Sequence, residues 1–463
     1  RTAFLDDKAT LYSDLVSSLL AAPDTAALDE AFAVIERARA RALLERLLAT
    51  VAGQVADEAD AALAAQRAEV QQRLHWLYNQ LMSGAGGRHA DNSLNEEIRG
   101  CERTLQQLEW RSASPLAEAQ PLDLPALQAT LAADQQAVVY YQVGSELIAF
   151  VVGPQDVQLF RRLCTVNALD EARAAWRFQL ERAEMGAALF ARHAERYQQA
   201  WRSALLRLYT LVWAPLAGAL SAKRLLIIPY GSLHDLPFHA LWDGRQLLLE
   251  RFELSYAPSA SIAVRAGQSP PVAAWRSLAA LALTDPAIPA ARLEVTEVAA
   301  CFPQAQLYLD GEGDLAGLQR AAHTADVLHI ATHGRFRPDN PYFSVLQLAD
   351  GWVDVRSLYR LRLAARLVVL SACESGVGGV SGGDEVIGVA RAFLAAGARS
   401  LVASLWNVHD ASTATLMTDF YMALIDGAAG LGPAGALRLA QLRAARQGQH
   451  PFYWASFFAI GPW

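Results

Sequence analysis

Apolar positions recur at helical spacing through the N-terminal part of the chain. Leu11, Leu15 and Leu19 stand at i, i+4 and i+8, Pro23-Asp24 interrupts and caps, and AFAVIERARARALLERLLA (31–49) resumes the pattern with Phe32, Ile35, Leu43, Leu44, Leu47 and Leu48. The spacing predicts a helical hairpin over 7–50. A second, longer hairpin is predicted over 56–112, with Leu74, Leu77, Tyr78 and Leu81 on one stripe and Leu94, Ile98, Cys101, Leu105 and Leu108 on the other. The glycine-rich SGAGGR turn separates its arms, and Ser93 with Glu96 forms a capping-box pattern on the return arm.

Past Pro115, Pro121 and Pro125 the period changes. VVYYQV (138–143), ELIAFVVG (146–153) and VQLFRRL (157–163) read as strands, with Gly144-Ser145 as a hairpin turn. Helical patterns cover 168–185 and 188–219. Strand-like runs then return near 225–229, 278–284, 326–332, 366–372 and 399–405, with helical stretches between them. Such alternation predicts an α/β fold built on a mainly parallel sheet flanked by helices.

Length and composition add limits. A chain of 463 residues accommodates two or three domains with a buried core. No apolar run approaches the ~20 residues that span a bilayer, so no membrane segment is predicted. A net charge of −7 argues against a phosphate-binding surface, and nucleic acid is not expected as a direct partner. Lys8 and Lys223 are the lysines, every other basic side chain bar histidine being arginine, which reads as base composition. Cys101, Cys164, Cys301 and Cys373 lack the paired spacing of a metal site or disulfide scaffold, so a reducing cytoplasm is the expected location, with no metal and no cofactor. Arg1 opens the sequence without an initiator methionine or signal-peptide pattern, as a piece of a longer chain would.

Two of the strand-like runs carry chemistry. VLHIATHG (327–334) leads into His333 and RLVVLSACESG (366–376) into Cys373, each followed at once or shortly by glycine. Parallel strands ending side by side bring an imidazole and a thiol to the carboxyl edge of a sheet, where open α/β folds bind ligands. The imidazole can take the thiol proton and later return it to a leaving amine, and Gly334 and Gly376 let backbone approach the substrate. His329 is expected on a packed face of its strand. The glycines of VGGVSGGDE (377–385) lack a Walker lysine and read as a loop beside the nucleophile.

These residues resemble the CHAT family, caspase-like domains often attached to tetratricopeptide repeats, within a group that includes caspases and separases. The resemblance takes in PDNPYFSVLQLAD (338–350), LYRLRLAARLVVLSACESG (358–376), GGDEVIGVARAFLAAGARSLVASLWNVHD (382–410), FYWASFFAIG (452–461) and, upstream, RLLIIPYGSLHDLPFHALWDG (224–244). It covers roughly residues 120–463. The order of histidine then cysteine, 373 − 333 = 40 residues apart, fits a caspase-like layout, although the caspase pentapeptide itself is absent.

The resemblance implies a caspase-like fold and a cysteine endopeptidase that cuts a specific protein substrate with His333 and Cys373. It implies the backbone N–H groups of Gly334 and Cys373 as oxyanion donors. In separases the corresponding strand ends contribute acid to a pocket for a basic residue, which nominates Asp384, Glu385, Trp406 and Asp410 for substrate binding; helix capping is the plainer role for the two aspartates. Residues 1–52 resemble the last tetratricopeptide-type unit of a longer array, since a lone unit cannot bury its own face. A long helical hairpin (53–118), an α/β half without the dyad (119–222) and a catalytic domain (223–463) follow. A regulatory protein partner is expected at the N-terminal helices, and members of the family suggest bacterial defence. The alternative is a catalytically inactive caspase-like scaffold that only binds partners.

Overall fold

The computed structural model describes residues 2–21, 24–39, 61–82, 88–112, 122–185, 194–268, 274–283, 288–335, 344–374, 384–406, 410–426 and 431–462. Among them, thirteen strands form one sheet. These are β1 (Gln135–Val143), β2 (Glu146–Val152), β3 (Val157–Phe160), β4 (Arg224–Ile228), β5 (Glu253–Tyr256), β6 (Ser277–Ala282) and β7 (Gln304–Leu309). β8 (Val327–Arg335), β9 (Val345–Leu348), β10 (Gly351–Asp354), β11 (Leu367–Glu374), β12 (Ser400–Ser404) and β13 (Phe457–Ile460) complete it. The order is β10-β9-β8-β11-β12-β13-β5-β4-β1-β2-β3, with β6 pairing both β7 and β8.

Two parallel sets meet in this sheet. β7, β6, β8, β11 and β12 run one way, and β1, β4, β5 and β13 run parallel to one another. β13 lies antiparallel to β12 and parallel to β5, so the last strand of the chain stitches the two sets together. β4 and β5 pair with β1, so strands on either side of the 222/223 division are neighbours in one sheet. The central strands are apolar on both faces, as helix-covered parallel strands must be: every residue of Leu367–Leu370 is at most 1% exposed.

Helices of two turns or more are α1 (Thr2–Leu19), α2 (25–39), α3 (Ala61–Met82), α4 (Arg88–Ser112), α5 (Val166–Glu184) and α6 (Ala194–Val212). α7 (Ala260–Gly267), α8 (Ala291–Ala300), α9 (Leu315–Thr324), α10 (Asp384–Ala396), α11 (Asp410–Ile425) and α12 (Pro433–Arg446) follow. α1 and α2 lay Val16, Leu20, Phe32 and Ile35 on the Val139, Phe150 and Ile228 face of the sheet. The sheet thus covers Phe32 and Ile35 of the predicted stripe, while Leu11 and Leu15 of α1 are exposed. Glu36 accepts hydrogen bonds from the N–H and Oγ of Ser261 at 3.1 and 3.0 Å, and Arg39 donates to the Tyr140 carbonyl. The rest of the 7–50 pattern, residues 40–50, lies outside the described residues.

α3 and α4 pack Leu74, Leu77, Tyr78, Ile98 and Leu105 together and against Val345 and Trp352 of the β9–β10 ribbon. The Trp352 N–H donates to Asn79 Oδ1 at 3.3 Å. Four stretches of pairing escaped the hydrophobic pattern: β5, β7, the β9–β10 ribbon and β13. Each has only four to six residues, too few for a period to show. The strand expected over 326–332 continues to Arg335, because its end gains β9 as a partner.

Candidate functional site

β8 and β11 are parallel neighbours in continuous register from Val327↔Leu367 to Gly334↔Glu374. Cys373 stands opposite His333, the last pair but one of the ladder. Their backbones are therefore one interstrand spacing apart, about 4.8 Å, at the carboxyl edge of the sheet. Both strands carry largely apolar runs (VLHIA and LVVLSA), as strands with helices on either side must.

On its other side β8 is forked. Its first half pairs with β6 as far as Ala331↔Ala282, and its end pairs with β9 from Gly334↔Leu346. Thr332 and His333 lie at the fork, where neither neighbouring ladder continues. Thr332 Oγ1 ties the fork to β9 by donating to the Gln347 carbonyl at 2.5 Å. His333 is buried, as are Thr332 and Ala331 beside it. The two glycines expected to open backbone access separate here: Gly334 is in the ladder, and Gly376 lies outside the described residues, with the rest of 375–383.

The remaining nominated residues fall at the same edge or close by. Asp384 opens α10 with Glu385 next to it, and Asp410 opens α11. A carboxylate at a helix start is favoured by the positive end of the macrodipole, which accounts for aspartate at both positions without any ligand. Trp406 follows β12 two residues past its end and is 8% exposed; its indole N–H donates to the Phe452 carbonyl at 3.0 Å and its ring meets Trp176 edge-on at 6.0 Å. It forms a wall of the core, so its surface is already spent on packing.

Beneath the edge lies a polar cluster that sequence reading did not assemble. Glu294, in the first turn of α8, has Oε1 3.1 Å from His329 Nε2 and accepts from Ser371 Oγ on Oε2 at 3.2 Å. His329 Nδ1 is 2.9 Å from the Tyr421 hydroxyl of α11. All four side chains are buried. Burial first, then the Glu294 charge, holds the Tyr421 phenol well above its ordinary value. The one available signal was His329 itself, a histidine inside an apolar strand that has to find buried partners.

The other cysteines are set apart by their surroundings. Burial pushes the Cys164 thiol up to about 11. Cys301 is raised by burial and then by Asp426 and Glu297, and Cys101 by burial and then by Glu97. None of the three lies on β8 or β11.

A sequence profile of the CHAT domain matches residues 202–462. Tetratricopeptide repeat protein 28 of Mus musculus is 26% identical over 332 residues, which is 56% of this chain and 13% of the relative. The Homo sapiens protein of that name is 26% identical over 330 residues, with the same two shares. This chain thus spans 13% of the length of the curated relatives it matches. Among solved structures, a chain of the Saccharomyces cerevisiae separase–securin complex superposes with a TM-score of 0.54 at 11% identity, covering 96% of this chain and 34% of that one. A second structure of that complex gives 0.50 at 10% identity, with 96% and 35% covered. At such identity the likeness speaks for the fold, a caspase-like α/β sheet flanked by helices.

Proposed function

We propose that this chain, which belongs to the CHAT-domain family, is a cysteine endopeptidase whose base is His333 and whose nucleophile is Cys373. The observation that carries the reading is the ladder pairing of those two residues at the carboxyl edge, where the β6 ladder has ended beside the histidine. In this mechanism His333 takes the proton of Cys373, and the sulfur attacks the scissile carbonyl carbon. Negative charge moves to the carbonyl oxygen, met by the backbone N–H groups of Gly334 and Cys373. His333 then gives its proton to the departing amine. Water, losing a proton to the same imidazole, hydrolyses the thioester and restores the thiol.

Asp384, Glu385 and Asp410 are proposed to face the side chain that precedes the scissile bond, which would be basic. Trp406, packed into the core behind them, would take no direct part. Regulation would enter through the N-terminal helices: α3 and α4 hold the β9–β10 ribbon, and β9 pairs with the residue following His333. A protein partner for those helices is in keeping with relatives named for tetratricopeptide repeats and with a neighbour solved as a complex with securin. No helix among the described residues is long and apolar enough to cross a membrane. A reducing cytoplasm would keep the thiol active.

Labelling by an iodoacetamide probe at neutral pH tests the reading. Cys373 should react well ahead of Cys101, Cys164 and Cys301, whose raised thiols carry little thiolate. His333→Ala should abolish that lead. Equal labelling of all four cysteines, unaffected by His333→Ala, would instead support the scaffold reading.

A further inference from the structure

β8 changes neighbour partway along one edge, and the change falls at Thr332 and His333. The β6 ladder stops at Ala331↔Ala282 and the β9 ladder starts at Gly334↔Leu346. Extended by one rung, the β9 register would set Gln347 opposite His333. At that level the Thr332 hydroxyl donates to the Gln347 carbonyl, at 2.5 Å. Thr332 is 3% exposed, and its branched Cβ leaves it few rotamers, so the hydroxyl is held in place.

The far edge of the β9–β10 ribbon is fastened at the same level. Gln347 and Trp352 are ladder partners across the ribbon. The N–H and C=O of one strand residue point to the same side. Gln347, whose carbonyl meets β8, and Trp352, whose N–H donates to Asn79 of α3, therefore look away from each other. One rung thus fastens the ribbon to β8 on one edge and to α3 on the other. Trp352 also packs in one cluster with Leu74, Leu77 and Tyr78 of that helix. On the β8 side the fastening is made by the residue covalently joined to His333.

We propose that Thr332 is a positioning residue of the proposed peptidase: by tying the end of β8 to β9, its hydroxyl sets the backbone from which the His333 imidazole reaches Cys373. This rests on the dyad reading. A catalytic group displaced by about 1 Å can cost about 10²-fold in rate, so a strand end that changes neighbour just before the base needs a fixed point. A hydroxyl that served only to satisfy the Gln347 carbonyl would matter equally whether or not His333 is present.

The rate at which iodoacetamide labels Cys373 at neutral pH, followed by peptide mass spectrometry, reads this without a substrate. Thr332→Val keeps the shape and the branched Cβ but removes the donor, and should slow labelling by about 10- to 100-fold. Thr332→Ser, which keeps the hydroxyl, should retain most of the wild-type rate. In a His333→Ala background Thr332→Val should change nothing further, because the effect runs through the imidazole. Should Thr332→Val not fold, as judged by circular dichroism, Asn79→Ala, half-buried at the far end of the same rung, should slow labelling with His333 present and leave it unchanged in His333→Ala. Labelling of Thr332→Val at the wild-type rate, loss of the rate in Thr332→Ser as large as in Thr332→Val, or equal slowing with and without His333 overturns the proposal. Failure of the dyad reading looks different: wild-type Cys373 would then label no faster than Cys373 in His333→Ala, and both readings would fall.

Discussion

Cys373 and His333 form a unit or they form nothing, because the thiol is a poor nucleophile without a base and the imidazole attacks nothing by itself. Cys373→Ala and His333→Ala should each lower peptide cleavage by at least about 10⁴-fold, and the double variant should be no worse than either single, since such effects are grossly non-additive. Turnover of a cleavable peptide by the three purified proteins, with circular dichroism as the check on folding, measures this. Specificity belongs to the same scale. A charge-assisted, bidentate contact to arginine is stronger than a neutral one. A positional peptide library should therefore show a basic preference immediately before the scissile bond. Asp384→Asn or Asp410→Asn should weaken that preference while leaving probe labelling of Cys373 intact. Apolar or acidic preference, indifferent to both changes, would leave the aspartates as helix-start residues only.

At the scale of elements, the helical hairpin of α3 and α4 is the piece best placed to act on the site. It grips Trp352 and Val345, and Gly351 sits between them at a φ of +130° with its Cα turned so that a Cβ would come within 2.9 Å of the Asn79 amide and His75. Leu77→Ala, at a fully buried position of this contact, should cost about 2–5 kcal/mol locally. Hydrogen exchange of Gly334 and Arg335, the residues β9 pairs, should then rise, and Cys373 labelling should fall. Exchange unchanged at those amides would reduce the hairpin to a structural prop. The long hairpin was legible in the sequence because its stripes run for many turns, as Leu74 through Leu108 show. Its docking site was not, because β9 and β10 have four residues each and no local signal for pairing. The strands β8 and β11 were legible for the opposite reason: runs such as RLVVLSA must be buried on both faces, and the proposed catalytic residues lie at their ends.

For the molecule as a whole, the sheet depends on β13 and on two histidines near it, His239 buried and His450 half-buried. His239 has Nδ1 3.1 Å from the Tyr256 hydroxyl and Nε2 3.0 Å from the Ala455 carbonyl, and Gln441 donates to the Trp454 and Phe457 carbonyls at 3.1 and 2.8 Å. His450 accepts from the Phe452 N–H at 3.1 Å, so it must be unprotonated there. Burial lowers both imidazoles to about 4. The folded pKa lies below the unfolded one of about 6.5, so the unfolded chain takes up protons first. Stability is complete above about pH 6.5 and declines as pH falls towards 4, by about 3 kcal/mol for the buried His239 and by less for the half-buried His450. Thermal melts at pH 7.5, 5.5 and 4.5 should show a steady fall in Tm, blunted in His450→Phe; a flat profile would contradict it. This joint escaped sequence reading because it is made of long-range pairs, such as His239 with Ala455, that no local window contains.

The central claim is that this chain cuts peptide bonds with Cys373. Its most direct test is a survey of new protein N-termini after wild-type protein, or Cys373→Ala, is added with the natural partner of the N-terminal helices to a cell extract. The account predicts a small set of new termini, each preceded by a basic residue, present with wild type and absent with Cys373→Ala. The same termini appearing with Cys373→Ala, or none appearing with wild type while Cys373 remains open to the probe, would contradict it.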